Sequence, residues 1–380
     1  MKFIYFLGAF VLLFQFAACD KNPPEQEGDL LQFGYNPQAY TIKKPAHFPQ
    51  ILIPEDNPQT YAGVQLGRHL FYDPILSADN TMSCSSCHLP EKSFTDGKAV
   101  STGIDGIAGK RSSMSLLNVA YIVPVKVDSN VFGFFWDGRA KSLEDQALQP
   151  VEDPIELHNT WPNVVEKLRQ HPTYPKMFRE AFGITDRTEI TKELAAKAMA
   201  QFERILISSG QSIFDRYLAG ETQLLQDEAL DGKIIFFDEA TLYGVQLPDG
   251  ECFHCHGTGT LTGKGFFENG LDPFNELADI GLEKISGNPN DRGKFRVPTL
   301  RNIELSAPYM HDGRFQTLDE AVDHYLFKSL LDTPYPNPNM ALLVNKRAQY
   351  TPYHTTAIVA FLKTLTDTDF INNPDIKSPF

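Results

Sequence analysis

Two five-residue stretches carry the chemistry open to this sequence: Cys84-Ser85-Ser86-Cys87-His88 and Cys252-Phe253-His254-Cys255-His256. Each reads Cys, two residues, Cys, His. At this spacing two thiols add across the vinyl groups of a haem and the adjoining imidazole falls beneath its iron. A disulfide, a zinc site or a thioredoxin-like pair would use the same thiols. One chance match to the five-residue pattern is uncommon, however, and two are far rarer. The sequence therefore predicts two covalently attached haems c, with His88 and His256 as proximal ligands.

The elements that must hold these motifs follow from length and composition. A chain of 380 residues is long enough for two domains with separate cores, and the wide separation of the motifs assigns one haem to each. With 26 Gly and 26 Pro, many loops between helices are expected rather than long unbroken ones. The formal charge of −14 argues against nucleic acid and anionic membrane as partners and favours a basic electron carrier. Of the five cysteines, four belong to the motifs and none is left for a structural disulfide. The fifth, Cys19, follows Lys2, an apolar run over 3–16 and Ala17-Ala18, which together read as a signal peptide over 1–18. Phe16-Ala17-Ala18-Cys19 resembles a bacterial lipoprotein box, so the mature chain is expected to begin at a lipidated Cys19. Export to the periplasm or cell envelope follows, with the membrane touched only through the lipid anchor.

Periodicity and punctuation give the order of elements. Residues 19–47 are polar and Pro-rich and read as a lipoprotein tether, so folded structure is expected from about 48. Short helices are predicted over 61–71, from Trp136 to Gln149 with a stop at Pro150, and over 161–168. The longest clean helix is expected over 188–207, with Ala195, Met199, Phe202 and Leu206 on one face and Asp186 with Glu189 as its capping box. Further helices are read over 224–237, from the capping box at Thr317 through Phe327, and over 352–365. Strand signals are sparse. The fold class is thus mainly α: two cytochrome c-like haem domains with long loops and little strand, over 48–218 and 219–366, with 367–380 as a tail.

At this point the chain clearly resembles the bacterial di-haem cytochrome c peroxidases and their relatives, including the methylamine-utilisation di-haem enzyme. The resemblance runs from about Leu66 to Leu365. It is carried by CSSCH, GKRSSMSLLN (109–118), FWDGRAKSLEDQA (135–147), CFHCH and VPTLRNIELSAPYMHDGRFQTLDEAV (297–322), in family order. It implies that peroxide is handled over the first haem, with Glu156 at the position of the catalytic glutamate and Gln146 at that of its neighbouring glutamine. The chemistry suits these types. Cleaving an O–O bond needs a base that takes a proton from one oxygen and returns it to the other, and a carboxylate can do both. Without the motif context, a Glu two residues after Pro154 reads as a surface-loop acid. Trp136 matches the family's tryptophan between the haems, a relay for electrons or holes.

Many classical members place a displaceable His in the loop after the first motif. Here the aligned position is Ile104, and no His occurs between His88 and His158. The first haem is accordingly expected to be five-coordinate at rest. For the second haem the candidate distal ligands are Met310, His311, His324 and Tyr325. Classical members carry Met fourteen residues after the His at 311; here that count lands on Tyr325. Helical phase agrees, since Leu318, Ala321, Val322 and Tyr325 share one face and His324 is rotated about 100° from it. Tyr325 is the first choice and Met310 the second. The resemblance also implies calcium between the domains, with Ser306 and Pro308 at the carbonyl positions and Ser112 where the family has Asn, a poorer ligand than an amide carbonyl.

The leading reading is an oxidoreductase, a cytochrome-c peroxidase that reduces hydrogen peroxide to water with electrons from a small cytochrome c or cupredoxin. One alternative is a methylamine-utilisation-like enzyme oxidising a protein or organic substrate through high-valent haems. The other is an electron-transfer di-haem cytochrome. Family members are often dimers, so the resemblance makes a homodimer one assembly open to this chain, though the sequence itself does not give the oligomeric state.

Overall fold

The computed structural model describes residues 28–127, 130–257 and 259–380. The signal peptide, Cys19 and the opening of the expected tether lie outside the described residues. Among the described residues no helix is long and apolar enough to cross a membrane.

Two apolar cores organise the chain. The first is built on the helix Tyr61–Tyr72, whose start is capped by Thr60 accepting from the Gly63 N–H. Leu66 and Leu70 on one face are fully buried with Val164, Leu168, Phe178 and Ala195. Val64 and Phe71 on the other face meet Phe94, Phe202 and Leu206. The helix Lys192–Glu203 lies along it, and the helices Leu143–Glu152 and Tyr174–Phe182 flank the pair. The second core sets the helix Asp227–Phe236 against Pro352–Lys363, with Phe236, Phe361, Leu318 and Leu326 inside. Each buried Leu or Phe contributes roughly 1.5–3 kcal/mol. Among the described residues strand is confined to two small antiparallel ladders, Val125–Val127 with Asn130–Phe132 and Phe266–Phe267 with Phe295–Arg296.

Four expectations change. The helix read over 188–207 begins only at Lys192, capped by Thr191. The Asp186/Glu189 box caps a separate turn, Arg187–Glu189, and Ile190 is extended between them, so two capping residues in succession divide the segment. The run expected from Trp136 starts as helix at Leu143, where the Ser142 side chain accepts from the Asp145 N–H, and it continues past Pro150 to Glu152. The expected tether is shorter than 19–47: Leu30 is buried in the first core and its N–H bonds the Thr185 carbonyl, while His47 pairs with Asp215 at 2.9 Å. Nor is 367–380 a free tail. Phe370 and Ile376 complete the first core, and Arg68 binds the Pro374 and Lys377 carbonyls.

Candidate functional site

Both Cys-x-x-Cys-His motifs wind into a single helical turn. The His88 N–H bonds the Cys84 carbonyl at 3.1 Å, and the His256 N–H bonds the Cys252 carbonyl at 3.0 Å. In each turn the first thiol and the imidazole are four residues apart and share a face. Each ring is oriented by a backbone oxygen: His88 Nδ1 lies 2.7 Å from the Phe94 carbonyl, and His256 Nδ1 lies 3.3 Å from that of Leu261. An Nδ1–H directed at a carbonyl fixes the tautomer and leaves Nε2 with its lone pair for a metal. Burial lowers both imidazoles, His256 to about 4, so the rings are neutral as ligation requires. It also raises the thiols, Cys87 and Cys255 to about 11. The residues fit a covalently held haem at each turn. His254, inside the second motif, is not a third ligand there: it pairs with Glu251 at 2.9 Å.

Beside the first turn opens a cavity of about 1090 Å³, above the usual range for a small-ligand site. Cys84, Cys87 and His88 line it together with Gln146, Glu156 and Trp136, residues drawn from a helix and two loops. Glu156 sits in a tight loop. Asp153 Oδ1 accepts from the Ile155 N–H, the Glu156 N–H bonds the Asp153 carbonyl, and the Ile104 N–H bonds the Glu156 carbonyl at 3.2 Å. The neighbouring loop comes so close that a Cβ on Gly103 would stand 1.4 Å from the Ile155 carbonyl oxygen. Ile104 thus supports the Glu156 loop through its backbone.

Burial, reinforced by Asp153, pushes the Glu156 carboxyl up to about 7 against a pull from Arg139. Gln146, on the helix Leu143–Glu152, has a buried Oε1 with no partner among the described residues. Pro150 four residues on has no N–H to give the Gln146 backbone carbonyl. A carboxyl that titrates near neutrality therefore shares one cavity with an uncommitted amide oxygen. That combination can bind a small hydrogen-bonding molecule and move a proton on it.

The cavity continues into the seam between the two cores, where Asn269, His311 and Arg314 join its wall. Trp136 Nε1 donates to the Ser112 carbonyl at 2.9 Å. Ser112 in turn reaches the second half, its N–H to the His311 carbonyl at 2.8 Å and its Oγ to the Met310 carbonyl at 2.9 Å. Arg111 braces this seam by pairing with Asp137 at 2.6 Å and with Asp279 at 2.7 Å.

On the second half Tyr325 and Met310, the two alternative ligands, are both reached by the Asn269 amide. Burial raises the Tyr325 phenol to about 12. His324 departs from its predicted phase. It is buried, with Nε2 2.9 Å from the Asn269 carbonyl, because the helix Leu318–Asp323 runs into a π-helical turn, His324–Lys328. The wider turn draws two successive residues inward. His311 stacks on Phe295 with centroids 3.7 Å apart. Of the calcium positions, the Ser306 and Pro308 carbonyls accept no hydrogen bond from the described residues, while the Ser112 hydroxyl is engaged with Met310.

Sequence reasoning missed Glu203. It is 4% exposed, lines the same cavity, has an Oε2 without a partner among the described residues and is pushed up by burial to about 8, with Arg204 opposing and Glu144 adding to the rise. The available signal was an acid directly after Phe202 on a helix otherwise rich in buried alanines.

The sequence model of the di-haem cytochrome c peroxidase family matches residues 61–223. The methylamine utilization protein MauG of Methylorubrum extorquens is 34% identical over 273 residues, covering 72% of this chain and 71% of its own. The cytochrome c551 peroxidase of Nitrosomonas europaea is 32% identical over 324 residues, covering 85% and 84%. The crystal structure of a MauG-like protein associated with microbial copper homeostasis superposes with a TM-score of 0.75 at 33% identity, over 90% of this chain and 99% of that one.

Proposed function

This chain belongs to the di-haem cytochrome c peroxidase family, and from that premise we propose that it is an exported oxidoreductase reducing hydrogen peroxide to water. The balance is one peroxide, two protons and two electrons to two waters. The observation that carries the reading is the shared cavity of His88, Gln146 and Glu156, with a carboxyl held up to about 7 and an amide oxygen that none of the described residues satisfies. When bound, the haem would supply the redox chemistry that breaks the O–O bond. Cys84, Cys87 and His88 would hold it. Gln146 orients the peroxide by hydrogen bonding without competing for its proton. Glu156 takes the proton from the near oxygen and returns it to the far one, which leaves as water. Trp136, hydrogen-bonded through Ser112 to the loop of Met310, relays electrons from the second half, where His256 and Tyr325 would hold the second haem.

The electrons come from a small cytochrome c or cupredoxin, a reading supported by the net charge of −14. Cys19 is the lipid-anchor site at the cell envelope, and the free carbonyls of Ser306 and Pro308, with Ser112, are the calcium position. The test supplies the protein with peroxide and a reduced small cytochrome c and measures two cytochromes oxidised per peroxide consumed. Consumption of peroxide with no oxidation of any such donor would overturn this reading. A second reading, oxidation of a protein or organic substrate as in MauG, is favoured by Tyr325 and Ile104 at the two ligand positions.

A further inference from the structure

Asn269 stands where the second half selects its iron ligand. Its side-chain nitrogen lies 3.2 Å from the Tyr325 hydroxyl and 3.5 Å from Met310 Sδ, and its backbone carbonyl is 2.9 Å from His324 Nε2. Three of the four side chains that sequence offers as sixth ligand are therefore gathered on one asparagine. His324 commits Nε2 to this contact, which removes that nitrogen from ligation.

The asparagine is itself firmly held. It follows the ladder Phe266–Phe267 with Phe295–Arg296, and the next residue, Gly270, has φ +66. A Cβ on Gly270 would lie 2.4 Å from the backbone of Leu330, whose N–H bonds the Gly270 carbonyl at 3.0 Å. Leu330 comes two residues after the turn that carries Tyr325 ends. The loop of the amide and the turn of the phenol are thus docked on each other by backbone contact. This is the rigidity that a tuning hydrogen bond needs.

We propose that Asn269 is the positioning residue of the second haem, its amide N–H holding the Tyr325 oxygen in place and setting that haem's reduction potential. The inference rests on Tyr325 being the sixth ligand, as read above. A phenolate that donates charge to iron favours the oxidised state, and an N–H bonded to the same oxygen withdraws part of that charge. Removing the donor strengthens the phenolate and lowers the potential. A thioether is a weak acceptor, so the same change with Met310 as ligand leaves the potential nearly where it was.

The experiment is a spectroelectrochemical titration of the haem-loaded protein and of Asn269→Leu, Asn269→Asp, Tyr325→Phe and the Asn269→Leu/Tyr325→Phe double variant. Tyr325→Phe identifies the second haem by altering its spectrum. In Asn269→Leu that haem's oxidised-to-reduced ratio at fixed ambient potential rises about tenfold, a fall of about 59 mV for a one-electron couple. Asn269→Asp, which keeps the size but not the donor, shifts it in the same direction. The double variant moves no further than Tyr325→Phe alone. Unchanged potentials in both Asn269 variants, beside an altered Tyr325→Phe spectrum, overturn the proposal and leave the ligand reading standing. An unaltered Tyr325→Phe spectrum overturns the ligand reading, and the proposal with it.

Discussion

The two haem-binding halves begin from the same device and diverge on the side facing the histidine. In both, one helical turn aligns a thiol with an imidazole whose Nδ1 is turned to a backbone carbonyl. Around the first turn, polar groups are left wanting. Gln146 Oε1 and Glu203 Oε2 are buried without partners, and Glu156 and Glu203 are held near 7 and 8 by lack of water. Around the second, Asn269 gathers Tyr325, Met310 and His324, while Glu268 Oε2 beside it is buried without a partner among the described residues. Buried groups without partners are costly, so the Gln146 and Glu203 atoms that line one cavity with the raised Glu156 carboxyl mark a place kept for a reacting molecule. The attachment motif fixes that a haem is present, and the opposing wall decides its work.

That contrast breaks most readily at Glu156. Glu156→Gln should lower peroxide turnover by roughly 10²–10⁴-fold while leaving the second haem's potential untouched. Tyr325→Phe should do the reverse, altering the second haem's spectrum but not the encounter of peroxide with the first. Gly103→Ala comes next. Its new Cβ must push back the Ile155 carbonyl and with it the Glu156 loop, and a displacement of that size costs on the order of 10² in turnover with both haems still attached.

A smaller effect is expected from pH. The raised Glu156 carboxyl keeps its proton below about 7, so the base form is lost as pH falls. The second-order rate constant for peroxide should drop about tenfold per unit below that point and level off above it, a slope absent from Glu156→Gln. The smallest effect concerns stability at Glu203. Its folded-state carboxyl binds a proton more tightly than the unfolded chain does, at about 8 against 4.5. The stability it contributes is present below 4.5 and lost as pH rises through 8. Glu203→Gln, which cannot ionise, should therefore melt higher than the parent at pH 8.5, by about 2–4 °C per kcal/mol recovered, with the gain shrinking toward pH 5.

How much of this was legible in the sequence depended on whether local rules or long-range contacts decided the outcome. The haem turns were legible because all five residues of each motif act within one helical turn. Helical phase correctly put Leu318, Ala321 and Val322 inside, yet misjudged His324, since a change of pitch at His324–Lys328 leaves no trace in a 3.6-residue period. The division of the 188–207 segment turned on two competing caps, each a sound signal by itself. Gln146 and Glu156 were reached through resemblance, because a loop acid near Pro154 has no periodicity to expose its burial. Gly103 and Asn269 were out of reach: their roles come from partners far along the chain, the Glu156 loop for Gly103 and the turn of Tyr325 for Asn269. The segments before 48 and after 366 looked like tether and tail because they are short and polar. Leu30, Phe370 and Ile376 were sparse anchors within them.

The most direct test of the central claim, an open first haem served by Glu156, is to mix the fully oxidised protein with one equivalent of hydrogen peroxide and no donor. The haem absorbance is then followed on the millisecond scale. The account predicts an immediate spectral change that needs no prior reduction and is slowed 10²–10⁴-fold in Glu156→Gln. A spectrum that stays fixed until one haem has been reduced would contradict it, because a ligand would then be closing the first site at rest.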